Sequence, residues 1–275
     1  MSRHLISVQD AELDVNVWGS GEPIVFVQTA LTADELRPLA SAAALEHGYR
    51  KILYHRRGYA DSSVVDGPGS VARDAADCRA LLSALAIDRA HVVGVSYSAA
   101  VALRLAADAP ACVQTLVVQE PPPLHTPSER EFRAANDRLM RTRRVRGAAV
   151  ALDEFLSMVV GPDWRVVMDD VLPGSVTQMQ RDAVTFFDTD IPALLDWQFG
   201  RADARRVTCP LLHVGGAESG PWFADVRDLI LQWFPQAEDV IVEGADHTLP
   251  LTHVAELADA VAAFLRRHSI GKAST

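Results

Sequence analysis

The stretch His91-Val-Val-Gly-Val-Ser96-Tyr-Ser-Ala-Ala100 reads as a buried strand, a tight turn over Gly94-Val-Ser96-Tyr-Ser98, and the opening of a helix. A turn of this kind holds its central serine in a strained backbone conformation and lifts the hydroxyl above the sheet edge. Small residues two before and two after let strand and helix approach closely. Gly94 meets that need, and Ser98 stands where a second glycine is usual. The plainer alternative is a helix N-cap in which Ser96 only satisfies backbone donors.

Outward from this turn, short apolar runs alternate with amphipathic stretches. Ile24–Gln28, Lys51–Tyr54, His91–Val95, Val113–Gln119, Leu211–Val214 and Asp239–Val242 are nearly continuous in hydrophobicity, as strands covered on both faces are. Ala11–Trp18 instead alternates, which suits a half-exposed edge or hairpin strand. Asp34–His47, Ala72–Ala86, Ser98–Ala109, Phe223–Phe234 and Val254–Arg267 read as helices. The alternation predicts an α/β fold with a mostly parallel sheet flanked by helices. From Pro121 to Thr208 the pattern is helical throughout, punctuated by Pro and Gly. The expected organisation is therefore a core over residues 1–120 and 209–275, with a helical cap over 121–208 between the sixth and seventh strands.

Composition narrows the function classes. The 275 residues carry 36 acidic against 26 basic side chains, a net charge of −10. A surface this acidic argues against non-specific binding to nucleic acid or an anionic membrane, leaving a small molecule as the expected partner. The inserted segment is nearly neutral, with 12 Arg against 13 acidic residues, so the excess charge belongs mainly to the core. The run Arg138-Leu-Met-Arg141-Thr-Arg143-Arg144-Val-Arg146 is flanked by acids and reads as a solvated helix face. Cys78, Cys112 and Cys209 suggest neither a disulfide framework nor a zinc knuckle. With no unbroken apolar core near the N-terminus and no spanning run, a cytoplasmic protein is expected. Oligomeric state has no signature in the sequence.

A nucleophilic serine needs a base, and the base needs an orienting acid. Glu243-Gly-Ala-Asp-His247 follows the last strand and places His247 on a loop before the final helix. His213 lies within an apolar strand and reads as a core residue; no metal-ligand spacing occurs among the histidines. Glu218, in the Gly-rich turn after Leu211–Val214, is the preferred acid, giving the chain order Ser96, Glu218, His247. Glu120, just past the strand Val113–Gln119, is the rival, and both border the crevice where open α/β sheets place their sites.

These matches together resemble the α/β-hydrolase superfamily, across Glu12–Arg267. The resemblance rests on Gly94-Val-Ser96-Tyr-Ser98, the turn Gly215–Glu218, Gly244-Ala-Asp-His247, and the loop Tyr54-His-Arg-Arg-Gly58-Tyr-Ala-Asp-Ser62, where His55 replaces a common Asp. It implies a capped, cofactor-independent serine hydrolase of the esterase kind, acting on an ester, lactone or thioester of a small, mainly apolar substrate. It also implies an oxyanion hole from the backbone amides of Ala30 and Tyr97. Where the family usually has His-Gly, this chain has Gln28-Thr29, and Thr29 lacks glycine's conformational freedom. Gln28 either supports the loop or donates to substrate. Gln28, Leu31, Phe155, Trp164, Phe187, Trp197 and Trp222 are the pocket candidates. The altered loop also admits a non-hydrolytic ligand-binding protein, and the same triad would serve carbon–carbon bond hydrolysis or a haloperoxidase-like activity.

Overall fold

The computed structural model describes residues 2–65 and 67–271. In chain order the elements are β1 (Ser2–Val8), β2 (Ala11–Gly19), β3 (Glu22–Val27), α1 (Arg37–Ala40), β4 (Tyr49–Tyr54), α2 (Val71–Ala84), β5 (Ala90–Val95), α3 (Tyr97–Asp108) and β6 (Val113–Gln119). Six helices follow: α4 (Glu129–Arg146), α5 (Ala148–Val159), α6 (Trp164–Val171), α7 (Ser175–Thr185), α8 (Ile191–Leu195) and α9 (Arg201–Ala204). The chain then returns through β7 (Leu211–Gly216), α10 (Pro221–Trp233), β8 (Glu238–Val242), α11 (Leu249–Thr252) and α12 (Val254–Arg267).

The eight strands form one sheet in the order β1-β2-β4-β3-β5-β6-β7-β8. Pairing is antiparallel only at β1–β2 and β2–β4, and parallel from β4 to β8. The mostly parallel sheet and the helical insertion between β6 and β7 are thus as the sequence predicts. Successive side chains of β3 face opposite sides of the sheet. Val25 and Val27 pack with Leu81 of α2 and Val101 of α3, while Ile24 and Phe26 pack with Val261 and Phe264 of α12. Burying each such side chain is worth about 1.5–3 kcal/mol, which is why the strand reads as an unbroken apolar run. The inserted helices have their own cluster, centred on Leu152, Trp164, Met179 and Phe187, and it meets the sheet's lip at Leu31 and Leu251.

Three readings change. β1 was not anticipated; it pairs with β2 along its whole length although most of it is exposed. β2 is thus a hairpin strand, as one of the two expected placements has it, and not an edge, and its polar positions Asp14 and Asn16 are buried. Asp14 tolerates burial because Arg3 and His55 both bond its carboxylate. The helix expected over Asp34–His47 is only α1 and a short 3-10 turn at Ala43–Leu45. Pro38 sits in the first turn of α1, the helical position a proline tolerates, and Ala42 leaves the helix in an extended conformation.

Candidate active site

Ser96 lies between β5 and α3 with φ +51° and ψ −120°, a backbone state costly for any residue with a Cβ. The close approach around it is specific. A Cβ on Gly94 would stand 2.4 Å from the Ser98 carbonyl oxygen, so only glycine fits there. Ser98 replaces the second glycine by using its hydroxyl, which accepts from the Val95 N–H and donates to the Val95 carbonyl, both at 2.9 Å. The turn is therefore stapled from inside the helix it precedes.

Glu120 is likewise at positive φ, +43°, immediately after β6. Its carboxylate is almost fully buried, at 1% exposure, yet both oxygens are used. One accepts from the Gly216 N–H at 2.8 Å, and the other lies 2.6 Å from Nδ1 of His247. Burial raises the carboxyl's proton affinity, but the hydrogen bond and charge of His247 outweigh it, so Glu120 is held below the usual carboxylate range. The close approach of Gly216 to Ala245, where a Cβ would meet the Ala245 carbonyl at 2.4 Å, brings the two loops together.

The imidazole is fixed from three further directions. Phe223 stacks on it at 4.2 Å with planes 11° apart. The Gln119 side-chain amide donates to the His247 carbonyl at 3.2 Å, and Asp246 turns the loop by accepting from the N–H and hydroxyl of Thr248. With Nδ1 committed to Glu120, Nε2 has no partner among the described residues, and His247 and Ser96 line the same cavity. Among the described residues Ser96 and His247 make no direct hydrogen bond, as is common for such groups before a substrate is bound.

Glu218, the acid preferred on sequence, does not meet His247. It is exposed on the turn after β7, with its N–H donating 2.8 Å to the Ala245 carbonyl. The partner of the imidazole is Glu120 instead. The reason is topological: β6 and β7 are neighbours in the sheet, so both acids reach the same edge, but only Glu120 points inward from a buried strand end. The strained φ that turns it is invisible in the residue order.

Gln28 and Thr29 are held by a buried arginine. Gln28 does not line the cavity; its Oε1 accepts from the Arg56 N–H at 2.7 Å. The Arg56 guanidinium, 2% exposed, donates to the carbonyls of Gln28 and Thr29 and pairs with Asp74 of α2 and Asp190 of the inserted region. It also stacks over the Tyr97 ring at 4.3 Å. Thr29 bonds the Val95 carbonyl through its hydroxyl, and the positive φ of the loop falls on Leu31, at +65°, rather than on Thr29. Tyr59 accepts the Leu31 N–H at 2.8 Å and donates to Asp190 at 2.5 Å. Ala30 and Tyr97 face the cavity beside Ser96, and among the described residues neither N–H has an acceptor.

The cavity holds about 540 Å³. Of the aromatic and aliphatic candidates, Leu31, Phe155 and Trp222 line it. Trp164 and Phe187 are instead fully buried in the cluster of inserted helices, and Trp197 packs on His125 and Phe199 beneath them. Large aromatic side chains fill a helical core first, and their spacing does not distinguish that role from pocket lining. Phe132, Phe186, Phe223 and Glu35, outside the candidate set, also line the cavity. Among the described residues no group of three or more His, Cys, Asp or Glu is placed to hold a metal ion, and no helix is long and apolar enough to cross a membrane.

Comparison with known proteins agrees with this architecture. Residues 22–157 match the family model described as the alpha/beta hydrolase fold. A thermophilic esterase from Thermogutta terrifontis superposes with a TM-score of 0.81 at 17% identity, covering 98% of this chain and 100% of its own. The enol-lactonase from Burkholderia xenovorans gives 0.76 at 20% identity, over 96% of this chain and 100% of that one. An alpha/beta hydrolase from Sphaerobacter thermophilus gives 0.71 at 26% identity, over 95% and 100%.

Proposed function

The chain belongs to the α/β-hydrolase fold family, and from that premise we propose that it is a cofactor-independent serine hydrolase cleaving carboxylic esters, lactones or thioesters of small, mainly apolar acids. The observation that carries this reading is the 2.6 Å contact between His247 Nδ1 and buried Glu120, in a histidine that shares a cavity with the strained Ser96. Glu120 fixes the tautomer with the proton on Nδ1, leaving Nε2 basic. Nε2 takes the hydroxyl proton as Ser96 Oγ attacks the carbonyl carbon, and the resulting imidazolium is stabilised by the Glu120 carboxylate. The Ala30 and Tyr97 N–H groups donate to the developing oxyanion. The imidazolium then protonates the leaving oxygen or sulfur, and a water deprotonated by Nε2 cleaves the acyl-enzyme and restores Ser96.

Esterase and lactonase names among the structural neighbours support the reaction class only at the level of a shared fold. The cavity's volume and its lining by Leu31, Phe132, Phe155 and Trp222 favour a small, mainly apolar acyl group. Labelling by a fluorophosphonate probe, with peptide mapping, is expected to mark Ser96, and S96A is expected to lose both label and turnover of short p-nitrophenyl esters. Saturable ligand binding by a parent protein that neither turns over nor labels would instead assign a non-hydrolytic binding role.

A further inference from the structure

Glu35 lies on the loop between β3 and α1, partly buried in the wall of the cavity that holds Ser96 and His247. Its loop is fixed from the inserted helices: Gln178 of α7 accepts from the Ala33 N–H and donates to the Leu31 carbonyl. Its neighbour Asp34 is paired with His55 and Arg37. Glu35 itself has no hydrogen bond or ion pair among the described residues. The other charged groups of the lining are exposed: Arg138 from α4, Glu154 from α5, Glu218 after β7 and Asp246 beside His247. Glu154 is bonded to Arg146, and Asp246 to Thr248. Within the wall, the groups that carry or change charge are therefore Glu35 and His247, and His247 already has Glu120 as its counter-ion.

An unpaired carboxyl in an apolar wall is costly unless something that enters the cavity completes it. Three further carboxylates on the rim against one guanidinium give the mouth a negative bias, which draws cations and repels anions. We propose that Glu35 is a specificity-determining residue that pairs with a single cationic ammonium group carried by an otherwise apolar acyl portion of the substrate. The inference rests on the serine-hydrolase reading for the reaction, though not for the binding. Burial pushes the Glu35 carboxyl up to about 7, with His247 the opposing influence. The carboxyl therefore ionises as pH rises through neutrality, and preference for a cation rises with it.

The test compares the p-nitrophenyl ester of trimethylammonio-butanoic acid with its neutral isostere, in which a tert-butyl group replaces the trimethylammonium. The ratio of their kcat/KM values cancels the pH dependence of the chemical step, which both substrates share. In the parent protein the ratio is expected to favour the cationic ester and to rise between pH 6 and pH 8, the range about the raised Glu35 value. In E35Q it is expected to fall about tenfold, as loss of a charge-assisted contact does, and to become flat with pH. Equal loss on both esters, or an unmoved ratio, overturns the proposal, because a role in stabilising the imidazolium or the loop acts on both alike. Calorimetric titration with (hydroxypropyl)trimethylammonium and its tert-butyl isostere gives a second readout that needs no turnover. Tighter binding of the cation, lost in E35Q, supports the assignment; equal binding of the two overturns it. If neither ester is cleaved and Ser96 takes no probe, the hydrolase reading falls while the titration still decides Glu35.

Discussion

Of the seven non-glycine residues at positive φ among the described residues, two lie at one histidine: Ser96 at φ +51°, which shares its cavity, and Glu120 at φ +43°, which bonds it. Strain at one position is unremarkable in a turn; strain at both, with His247 bonded to one of them, points to a site that the rest of the fold holds in place. The two candidate acids separate sharply in a mutational test. E120Q removes the charge that steadies the imidazolium, and kcat is expected to drop by about 10²–10⁴-fold, with the protein still folded. E218Q alters an exposed carboxylate and is expected to change kcat/KM by no more than about fivefold, the worth of an exposed charge interaction near 1 kcal/mol. Steady-state kinetics on a p-nitrophenyl ester checks both. The reverse order of effects would restore Glu218 as the acid. Sequence spacing made Ser96 and His247 legible because each follows a recognisable strand in a fixed chain order. It left the acid open because two glutamates follow two adjacent strands.

At the scale of elements, the site depends on how β5 meets α3 and on how the loop after β3 is held. Gly94 has no room for a Cβ, since the obstructing atom is the Ser98 carbonyl oxygen of the helix backbone at 2.4 Å. G94A is expected to lower Tm by about 10 °C or more and to abolish any turnover of p-nitrophenyl esters shown by the parent, measured by thermal unfolding and by rate. Arg56 carries the other dependence. It ties the carbonyls of Gln28 and Thr29 to α2 through Asp74 and to the inserted helices through Asp190. Lysine retains the charge but cannot reproduce that fan of donors. R56K is expected to cost about 1–3 kcal/mol in denaturant unfolding, the range for leaving a buried acceptor unsatisfied, and to reduce kcat as the Ala30 amide loses its support. Gln28 and the buried arginine therefore belong to one arrangement. Gln28 was legible as a departure; its partner, 28 residues further along, was not.

Across the molecule, the chain from Arg3 through Asp14, His55 and Asp34 links the N-terminal hairpin to the loops on which the site is built. Burial alone would lower the His55 proton affinity, but the hydrogen bonds and charges of Asp14 and Asp34 raise it above the ordinary histidine value. The sign follows from that direction. The stabilisation from charged His55 is fully present below about pH 6.5, its unfolded value, and is lost as pH rises through the raised folded value. Glu35, also raised, acts in the same direction, so the parent is expected to be less stable to denaturant at pH 9 than at pH 6. H55Q is expected to lose part of that difference, and an unchanged difference would remove His55 from the account. The sequence by itself determined the layered α/β plan, the inserted helices, the serine turn and the histidine loop, because local periodicity and turn chemistry act over a few residues. Only the tertiary structure decided which glutamate bonds His247, which aromatic side chains face the cavity, and what holds Gln28 and Thr29. Those outcomes depend on strand order and on contacts between residues far apart in the chain. A one-dimensional pattern carries the tendency of each residue to be buried, but not the identity of what it is buried against.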